Sequence, residues 1–251
     1  WEPQNIDGEF EGAITLRDAL VRSRNVPTVR LAADVGLNDV ARLARRAGVR
    51  SELPNVPSIA LGTAGMTVLE MTAAYTTFAR LGTAVAPRFV TRVEDADGRV
   101  VWETEVRPRE VMDSAAAYLI TDMLGEAVER GTARTVRSAG FRGSAAGKTG
   151  TTNDGADAWF VGYTTSHVAT VWIGFDRPRE IVEDASGARL AAPVWARVMR
   201  EHAATGVWPT PSGVVALQID PTTGLVIEEA RFVIPIWHQR RVVVPVRRAR
   251  Y

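Results

Sequence analysis

In the first half of the chain, apolar residues recur three or four positions apart, the spacing of an amphipathic helix. One such segment covers residues 38–48 and ends on a glycine. A second begins at Thr67, where Glu70 completes a capping-box pattern, and a third covers residues 114–131. The predicted inward stripes are Val40, Leu43, Ala44 and Ala47; Val68, Met71, Tyr75 and Phe78; and Ile120, Met123, Leu124, Ala127 and Val128. The pattern predicts a helical lobe.

In the second half, the hydrophobic period changes from helical to strand-like. Residues 148–151, 158–163 and 167–175 are three candidate strands. The short turn-forming segments that separate them predict an antiparallel meander. Residues 88–94 and 99–103 alternate around an Asp-Gly pair and predict a hairpin. A helix is predicted to start at Pro193, with Val194, Val198 and Met199 as its buried stripe. Helices packed on an antiparallel sheet define an α+β fold.

A short helix is predicted near the beginning of the chain. Thr15 followed three positions later by Asp18 is a typical helix start. The predicted helix runs into Ser23 and Asn25 and is interrupted by Pro27, so the serine hydroxyl and the asparagine amide should lie in a fixed turn. Taken alone, a Ser-x-Asn segment is more often a turn cap than a functional site.

Composition narrows the possible classes of protein. The chain has 251 residues, 46% of them hydrophobic, which is enough for a sizeable core in one or two domains. The net charge of +1 gives no overall bias toward nucleic acid or anionic membrane. The absence of cysteine excludes a disulfide scaffold, a thiol nucleophile and a cysteine metal site, and fits an extracytoplasmic bacterial protein. The sequence contains no apolar run of the ~18 residues that a membrane-spanning helix needs.

Lys148 is the only lysine among the 30 basic residues, and it lies in a Gly-Lys-Thr-Gly-Thr segment. A lysine ammonium has three rotatable donors and a pKa that burial can move, so it suits chemistry that arginine cannot perform. A phosphate-binding loop needs four residues between its glycines, but only three separate Gly143 from Gly147. The residues that follow are also poor helix formers, so nucleotide binding ranks below a strand.

On a strand, the residues after Lys148 suit the binding of a carboxylate. Thr149 and Thr151 would share one face, and Gly150 between them would leave room for a ligand backbone. Two neighbouring hydroxyls can hydrogen-bond to a carboxylate, while Lys148 can hold a neighbouring hydroxyl ready to relay protons. This Lys-Thr-Gly element resembles that of serine acyltransferases which react with penicillin.

Two separated parts of the sequence together resemble one family. Residues 12–30 and 147–163 resemble the second and third active-site motifs of the penicillin-binding transpeptidase domain, of the class A, bifunctional type. Supporting stretches occur in the expected order at residues 60–62, 67–71, 74–79, 131–133 and 171–176. The resemblance covers residues 1–206, and residues 207–251 are predicted to form a small β-rich extension.

The resemblance implies a D,D-transpeptidase that cross-links peptidoglycan stem peptides through a serine acyl-enzyme. It implies that Ser23 relays a proton to the leaving amine, that Asn25 holds the substrate amide, and that Lys148 keeps Ser23 in place. It also implies that Thr149 and Thr151 bind the terminal carboxylate, with the Thr151 N–H as an oxyanion donor. The implied partners are stem peptides, β-lactams and cell-wall synthesis proteins, with no nucleic acid, cofactor or metal.

The sequence departs from the family in one respect, since no serine has a lysine three positions later. The family nucleophile lies in Ser-x-x-Lys, N-terminal to the Ser-x-Asn segment, and we expect it upstream of this chain. The class A type also implies a glycosyltransferase domain and a membrane anchor upstream, which would place the domain outside the cytoplasm. By itself the chain is then expected to be inactive. The rival hypothesis is a non-catalytic sensor or adaptor, and a serine β-lactamase is the enzymatic neighbour.

The last twelve residues contain five arginines, Arg240, Arg241, Arg247, Arg248 and Arg250, interleaved with valines and a proline. Such a tail could contact an acidic polymer, but the interleaving favours a charged edge strand that resists aggregation. Before it, residues 214–219 and 225–227 are predicted strands around a turn at 220–224. No transpeptidase motif is evident in this part of the chain.

Overall fold

The computed structural model describes residues 2–152, 154–204, 206–218 and the backbone of 241–245. The helices are α1 (Leu16–Val21), α2 (Asn25–Val35), α3 (Leu37–Ala47), α4 (Val68–Ala79), α5 (Ser114–Glu129), α6 (Thr135–Ser138) and α7 (Ala192–His202). A 3₁₀ turn covers Pro57–Leu61, and a π-helical turn at Gly187–Ala191 leads into α7. None of the described helices is both long and apolar enough to cross a bilayer.

The strands are β1 (Thr83–Ala84), β2 (Arg92–Glu94), β3 (Val100–Glu103), β4 (Arg109–Glu110), β5 (Ala146–Thr151), β6 (Asp157–Tyr163), β7 (Val168–Gly174), β8 (Val214–Gln218) and β9 (Arg241–Pro245). Strands β5, β6 and β7 form the predicted antiparallel meander, in the order β5-β6-β7. The remaining strands pair two by two, as β1 with β4, β2 with β3 and β8 with β9. The mixture of helices and antiparallel sheet confirms the α+β prediction.

The three-stranded sheet lies between two helical layers, because its strands are apolar on both faces. Phe160 of β6 is buried against Trp195 of α7, with ring centroids 5.3 Å apart. Tyr163, three positions later on the other face, packs with Leu124 of α5 and donates a hydrogen bond of 3.1 Å to Thr121. Helix α5 is therefore attached to the sheet by apolar contact and by a buried hydrogen bond.

The predicted helix starts and stops are largely confirmed. The Thr67 hydroxyl accepts from the Glu70 N–H, while the Glu70 carboxylate accepts from the Thr67 N–H, completing the capping box of α4. The same carboxylate accepts from the hydroxyl and the N–H of Ser51, and these hydrogen bonds lower the pKa of Glu70 to about 2. Gly48 ends α3 in a left-handed conformation.

Two predictions about helices were wrong. Helix α1 does not run into the Ser-x-Asn segment; it ends at Val21, and Asn25 is the first residue of α2. Pro27 does not interrupt a helix there, because in the first turn of α2 its missing N–H has no helical partner to lose.

The buried stripe of α7 was also misplaced. Val194 and Val198 are exposed, whereas Trp195, Ala196 and Met199 are buried. Of the three predicted residues only Met199 lies in the core. The reason is the size of the Trp195 indole, which fills the space against Phe160 and directs the adjacent face of the helix inward.

The C-terminal part is described only in places. Strand β8 confirms the prediction for residues 214–218, and its partner β9 includes Pro245. Residue 219, the predicted turn at 220–224, the strand at 225–227 and the arginines at 240, 247, 248 and 250 lie outside the described residues. The division into residues 1–206 and 207–251 stays a prediction.

Candidate active site

Lys148 and Ser23 meet across the fold although 125 positions separate them in the sequence. The Lys148 Nζ donates a hydrogen bond of 2.7 Å to the Ser23 Oγ and another of 3.0 Å to the carbonyl oxygen of Thr149. Because an ammonium can only donate, the Ser23 oxygen is the acceptor, and its own proton is directed elsewhere. The serine is thus held as a hydroxyl that can pass its proton to a third group.

The surroundings of the Lys148 ammonium change its acidity. Protein groups replace water around the ammonium, and this desolvation lowers the pKa of Lys148 to about 8. The group is therefore still mostly protonated at neutral pH but can release its proton about two pH units more readily than an exposed lysine. A pKa close to the working pH is suited to proton transfer.

Ser23 lies in a tight connection between α1 and α2, with a positive φ of 56°. Its N–H donates to the Leu20 carbonyl at 3.1 Å, and the next N–H, of Arg24, donates to the Ala19 carbonyl at 2.8 Å. A non-glycine residue in this conformation is strained and persists only where its surroundings hold it. The orientation of the Ser23 hydroxyl therefore depends on what holds α1.

An ionic network attaches α1 to α5. The guanidinium of Arg17, which is 11% exposed, donates to Asp122 at 2.6 Å and to Glu126 at 2.8 Å. Arg130, next to the end of α5, pairs with Glu126 and donates to Asp18 of α1 at 2.7 Å. Because arginine presents several donors in a rigid fork, this network fixes the orientation of α1 relative to α5 as well as the distance between the two helices.

Gly131 and Thr132 join the serine region to the strand region. A Cβ on Gly131 would lie 2.3 Å from the carbonyl oxygen of Val21, so only glycine allows the two backbones to approach this closely. The Thr132 N–H donates to the same Val21 oxygen at 3.3 Å, and the Thr149 hydroxyl donates to the Thr132 hydroxyl at 3.0 Å. Thr132 thus lies between the end of α1 and β5.

Strand β5 carries Lys148, Thr149, Gly150 and Thr151, as predicted, and is the edge strand of the described sheet. Since the Thr152 N–H points toward β6, donating to Asp157, the antiparallel pattern directs the N–H groups of Thr149 and Thr151 away from β6. The Thr151 oxygen accepts from the Gly187 N–H at 3.0 Å, which leaves its proton available for donation.

Gly150 and Gly187 allow backbones to lie close together at this strand. A Cβ on Gly187 would be 2.1 Å from the Trp159 oxygen and 2.6 Å from the Gly150 oxygen, so the turn before α7 fits here only as glycine. A Cβ on Gly150 would meet only the Trp159 Cβ, at 3.2 Å. Of the two glycines, Gly187 has the stricter steric requirement.

Asn25 lies beside Ser23 and is held by an upstream segment. Its Nδ2 donates to the carbonyl of Gln4 at 2.7 Å, and its backbone N–H donates to the Asn5 Oδ1 at 3.0 Å. The structure therefore places Ser23, Asn25, Lys148 and the Thr149–Thr151 segment in one region of the fold. The sequence analysis assigned no role to Asn5.

Several residues that shape the site were not identified as functional from the sequence. Thr132 belongs to a stretch that supported the family resemblance, but its hydroxyl received no role. Gly187, Arg17 and Asn5 carried no local signal, because each acts through a contact with a distant part of the chain. The one available hint was the Gly131-Thr132 pair directly after a predicted helix, because a glycine there can mark a place where two backbones approach closely.

Comparison with known proteins connects this geometry to a family. Residues 1–200 match the model of the penicillin-binding protein transpeptidase domain. Among curated relatives, penicillin-binding protein 1A of Neisseria gonorrhoeae is 39% identical over 208 residues, which cover 80% of this chain and 26% of that protein. Penicillin-binding protein 1A of Pseudomonas aeruginosa is 32% identical over 278 residues, 89% of this chain and 34% of that protein. The chain thus spans about a quarter to a third of these relatives.

Solved structures of penicillin-binding proteins have a fold similar to that of this chain. Penicillin-binding protein 1A of Haemophilus influenzae superimposes with a TM-score of 0.86 and 24% identity, covering 98% of this chain and 43% of that one. The PonA1 protein of Mycobacterium tuberculosis, in complex with penicillin V, gives a TM-score of 0.72 with 27% identity and covers 83% of this chain and 62% of that one.

Proposed function

The chain belongs to the family of penicillin-binding protein transpeptidase domains, and from this premise we propose that it contributes the Ser-x-Asn and Lys-Thr-Gly elements of a serine D,D-transpeptidase that cross-links peptidoglycan. The observation that carries this proposal is the 2.7 Å hydrogen bond from Lys148 Nζ to Ser23 Oγ. This hydrogen bond brings together two motifs that lie 125 positions apart in the sequence, as the proposed reaction requires.

In the proposed acylation, a serine oxygen attacks the carbonyl carbon of the penultimate D-alanine of a stem peptide. The bond to the terminal D-alanine breaks, and the leaving nitrogen must gain a proton. Ser23 donates that proton through its hydroxyl, and the nucleophile's proton, released on attack, returns to Ser23. Lys148 stabilises the transient negative charge on Ser23, since its ammonium already donates to that oxygen. An amine of a second stem peptide then accepts the acyl group.

The substrate's terminal carboxylate is assigned to the hydroxyls of Thr149 and Thr151, and on binding the Thr149 hydroxyl exchanges its acceptor Thr132 for the carboxylate. The Gly187 N–H occupies a lone pair of the Thr151 oxygen, so the Thr151 proton can be donated outward. The Thr151 N–H, directed away from β6, is the oxyanion donor. Asn25 holds the substrate amide with the part of its carboxamide that Gln4 does not engage.

The nucleophile itself is assigned to a Ser-x-x-Lys segment outside these 251 residues, because the single lysine is already engaged by Ser23. Stem peptides and β-lactams are the proposed ligands, at the outer face of the cytoplasmic membrane where peptidoglycan is built. Further cell-wall synthesis proteins are proposed partners of the whole protein.

Two measurements on the purified chain test this proposal. A peptide ending in D-alanyl-D-alanine should bind reversibly and shift the NMR signal of ¹³C-labelled Lys148, the one lysine signal of the chain. A matching peptide amidated at its C-terminus should bind more weakly, since it lacks the carboxylate. A fluorescent penicillin should give no covalent adduct by mass spectrometry. Equal binding of the two peptides would contradict the carboxylate assignment, and a labelled serine would show that the nucleophile lies within the chain.

A further inference from the structure

The segment of residues 4–11, which we call the N-terminal strap, wraps around the turn that carries Ser23 and Asn25. Within it, Asn5 is 8% exposed, and its Oδ1 accepts from the N–H groups of Asn25 at 3.0 Å and Val26 at 3.4 Å. These are the first N–H groups of α2, which have no acceptor inside the helix. A buried asparagine from 20 positions upstream therefore supplies the cap of α2.

No local residue provides this cap. Arg24 is at the N-cap position of α2, and its side chain makes no capping hydrogen bond. Instead, the Arg24 guanidinium is buried and forms ion pairs with Asp7 and Glu11 of the strap. Glu11 also accepts from Arg22 at 2.7 Å. The strap is thus attached to the turn by the ion pairs of Arg22 and Arg24, one on each side of Ser23, and by the Asn5 cap.

The strap contacts the side chain of Asn25 as well as its backbone. The Gln4 carbonyl accepts from the Asn25 Nδ2 at 2.7 Å, while the Asn5 Nδ2 donates to the Glu9 carbonyl at 2.7 Å and so fixes the orientation of the Asn5 amide. A carboxamide has two N–H donors and one oxygen. With one N–H committed to Gln4, rotation of the Asn25 carboxamide is prevented, and the second N–H and the oxygen keep one direction.

From these contacts we propose that Asn5 is a positioning residue of the active site, which sets the Asn25 carboxamide in the orientation that receives the substrate amide. This inference rests on the proposed function, since it deepens the role of Asn25. Asn5 does not touch the substrate; it acts by placing the backbone of Asn25 and, through the adjacent Gln4 carbonyl, its side chain. A cap that only stabilised α2 would have no effect on ligand binding beyond folding.

A double-mutant cycle separates positioning from simple stabilisation. The binding of an acetylated peptide ending in D-alanyl-D-alanine is followed at the ¹³C signal of Lys148, which is present in every variant. Asn5→Leu should weaken binding by about fivefold or more in the wild-type background and by less than twofold when Asn25 is already alanine, because coupled residues are not additive. Asn5→Asp keeps the acceptor for α2 but loses the Nδ2 donor to the Glu9 carbonyl, and should weaken binding less than Asn5→Leu does. The control is Asn55→Leu, at an exposed position.

A second measurement needs no ligand. With ¹⁵N-labelled asparagine, the backbone amide proton of Asn25 and the Nδ2 proton that it donates to Gln4 should both be protected from hydrogen exchange. Asn5→Leu should abolish both features and Asn5→Asp should keep them. If Asn5→Leu does not fold, Asn5→Ala takes its place.

The outcomes distinguish this inference from the proposed function. If wild type does not bind the peptide, the proposed function fails. Hydrogen exchange at Asn25 then still tests whether Asn5 positions the Asn25 carboxamide. If wild type binds and Asn25→Ala weakens binding, but Asn5→Leu leaves binding unchanged or weakens it equally in both backgrounds, the positioning role is overturned and the proposed function stands.

Discussion

The two sides of the Lys148–Ser23 contact, which we call the strand wall and the turn wall, are each held by different interactions. The strand wall, β5, is paired to β6 along its whole length and backed by buried Phe160 and Trp195. The turn wall, residues 21–25, lies between two helices and is held by side chains: the Arg17 network, the Asn5 cap and the close contact at Gly131. The strand wall depends on backbone pairing and packing, whereas the turn wall depends on a few polar contacts between distant residues.

The largest expected effect comes from adding a methyl group where two backbones touch. Gly131→Ala at the turn wall and Gly187→Ala at the strand wall should each lower the free energy of unfolding by about 3 kcal/mol, because the new Cβ would overlap a carbonyl oxygen at 2.3 or 2.1 Å. Chemical denaturation measures this. Gly131→Ala should also shift the Lys148 NMR signal, because the displaced turn carries Ser23.

Gly125→Ala is the matched control for this comparison. Gly125 lies in α5, and a Cβ there would meet only the Ala145 oxygen, at an ordinary distance of 3.6 Å. The substitution should therefore be neutral or stabilise the helix by up to about 1 kcal/mol. If Gly131→Ala proved as stable as Gly125→Ala, the close contact between α1 and the end of α5 would be refuted.

An intermediate effect is expected from the pH dependence of Lys148, which lies where the walls meet. Its pKa of about 8 in the folded state is below that of an exposed lysine, so the unfolded chain binds more protons between pH 8 and 10.5. The cost of burying the ammonium is thus fully present below pH 8 and disappears as the pH rises to 10.5. The stability of wild type relative to Lys148→Met should rise by at most about 3 kcal/mol over that range.

The measurement is a pair of denaturation series at pH 7 and 10.5, alongside a ¹³C NMR titration of the single lysine. Comparing the two proteins cancels the titration of tyrosines and other shared groups. A Lys148 pKa near 10.5 would mean that the ammonium is hydrated and that the two walls do not enclose it.

The smallest effect is expected where a single hydroxyl joins the walls. Thr132→Val keeps the shape of the side chain but removes the acceptor of the Thr149 hydroxyl, and should cost about 1 kcal/mol of unfolding free energy. Thr63→Val, at an exposed position, is the control and should change stability by less than about 0.5 kcal/mol. If both substitutions had the same effect, Thr132 would not be a structural link between the walls.

The strand wall was more accessible to sequence reasoning than the turn wall. The strand-like segments and the short turns between them located all three strands of the meander within two residues, and the capping patterns located the starts of α1 and α4. Ser23 and Asn25 were recognised by motif, but the elements around them were misread, because the cap of α2 comes from Asn5 and not from a local residue. The α7 stripe failed for a similar reason: the partner that selects its buried face is Phe160, on another element.

The sequence by itself determined the periodic elements, the α+β class, and the two motifs that make up the proposed chemistry, since each is encoded within a few neighbouring residues. Only the tertiary structure decided that Lys148 donates to Ser23, that Arg17 fastens α1 to α5, and that Asn5 holds Asn25. Contacts between residues 20 to 125 positions apart leave no period in the sequence. Lys148 reaches Ser23 because α5 packs against both α1 and β5, and Asn5 reaches Asn25 because the strap folds back onto the turn.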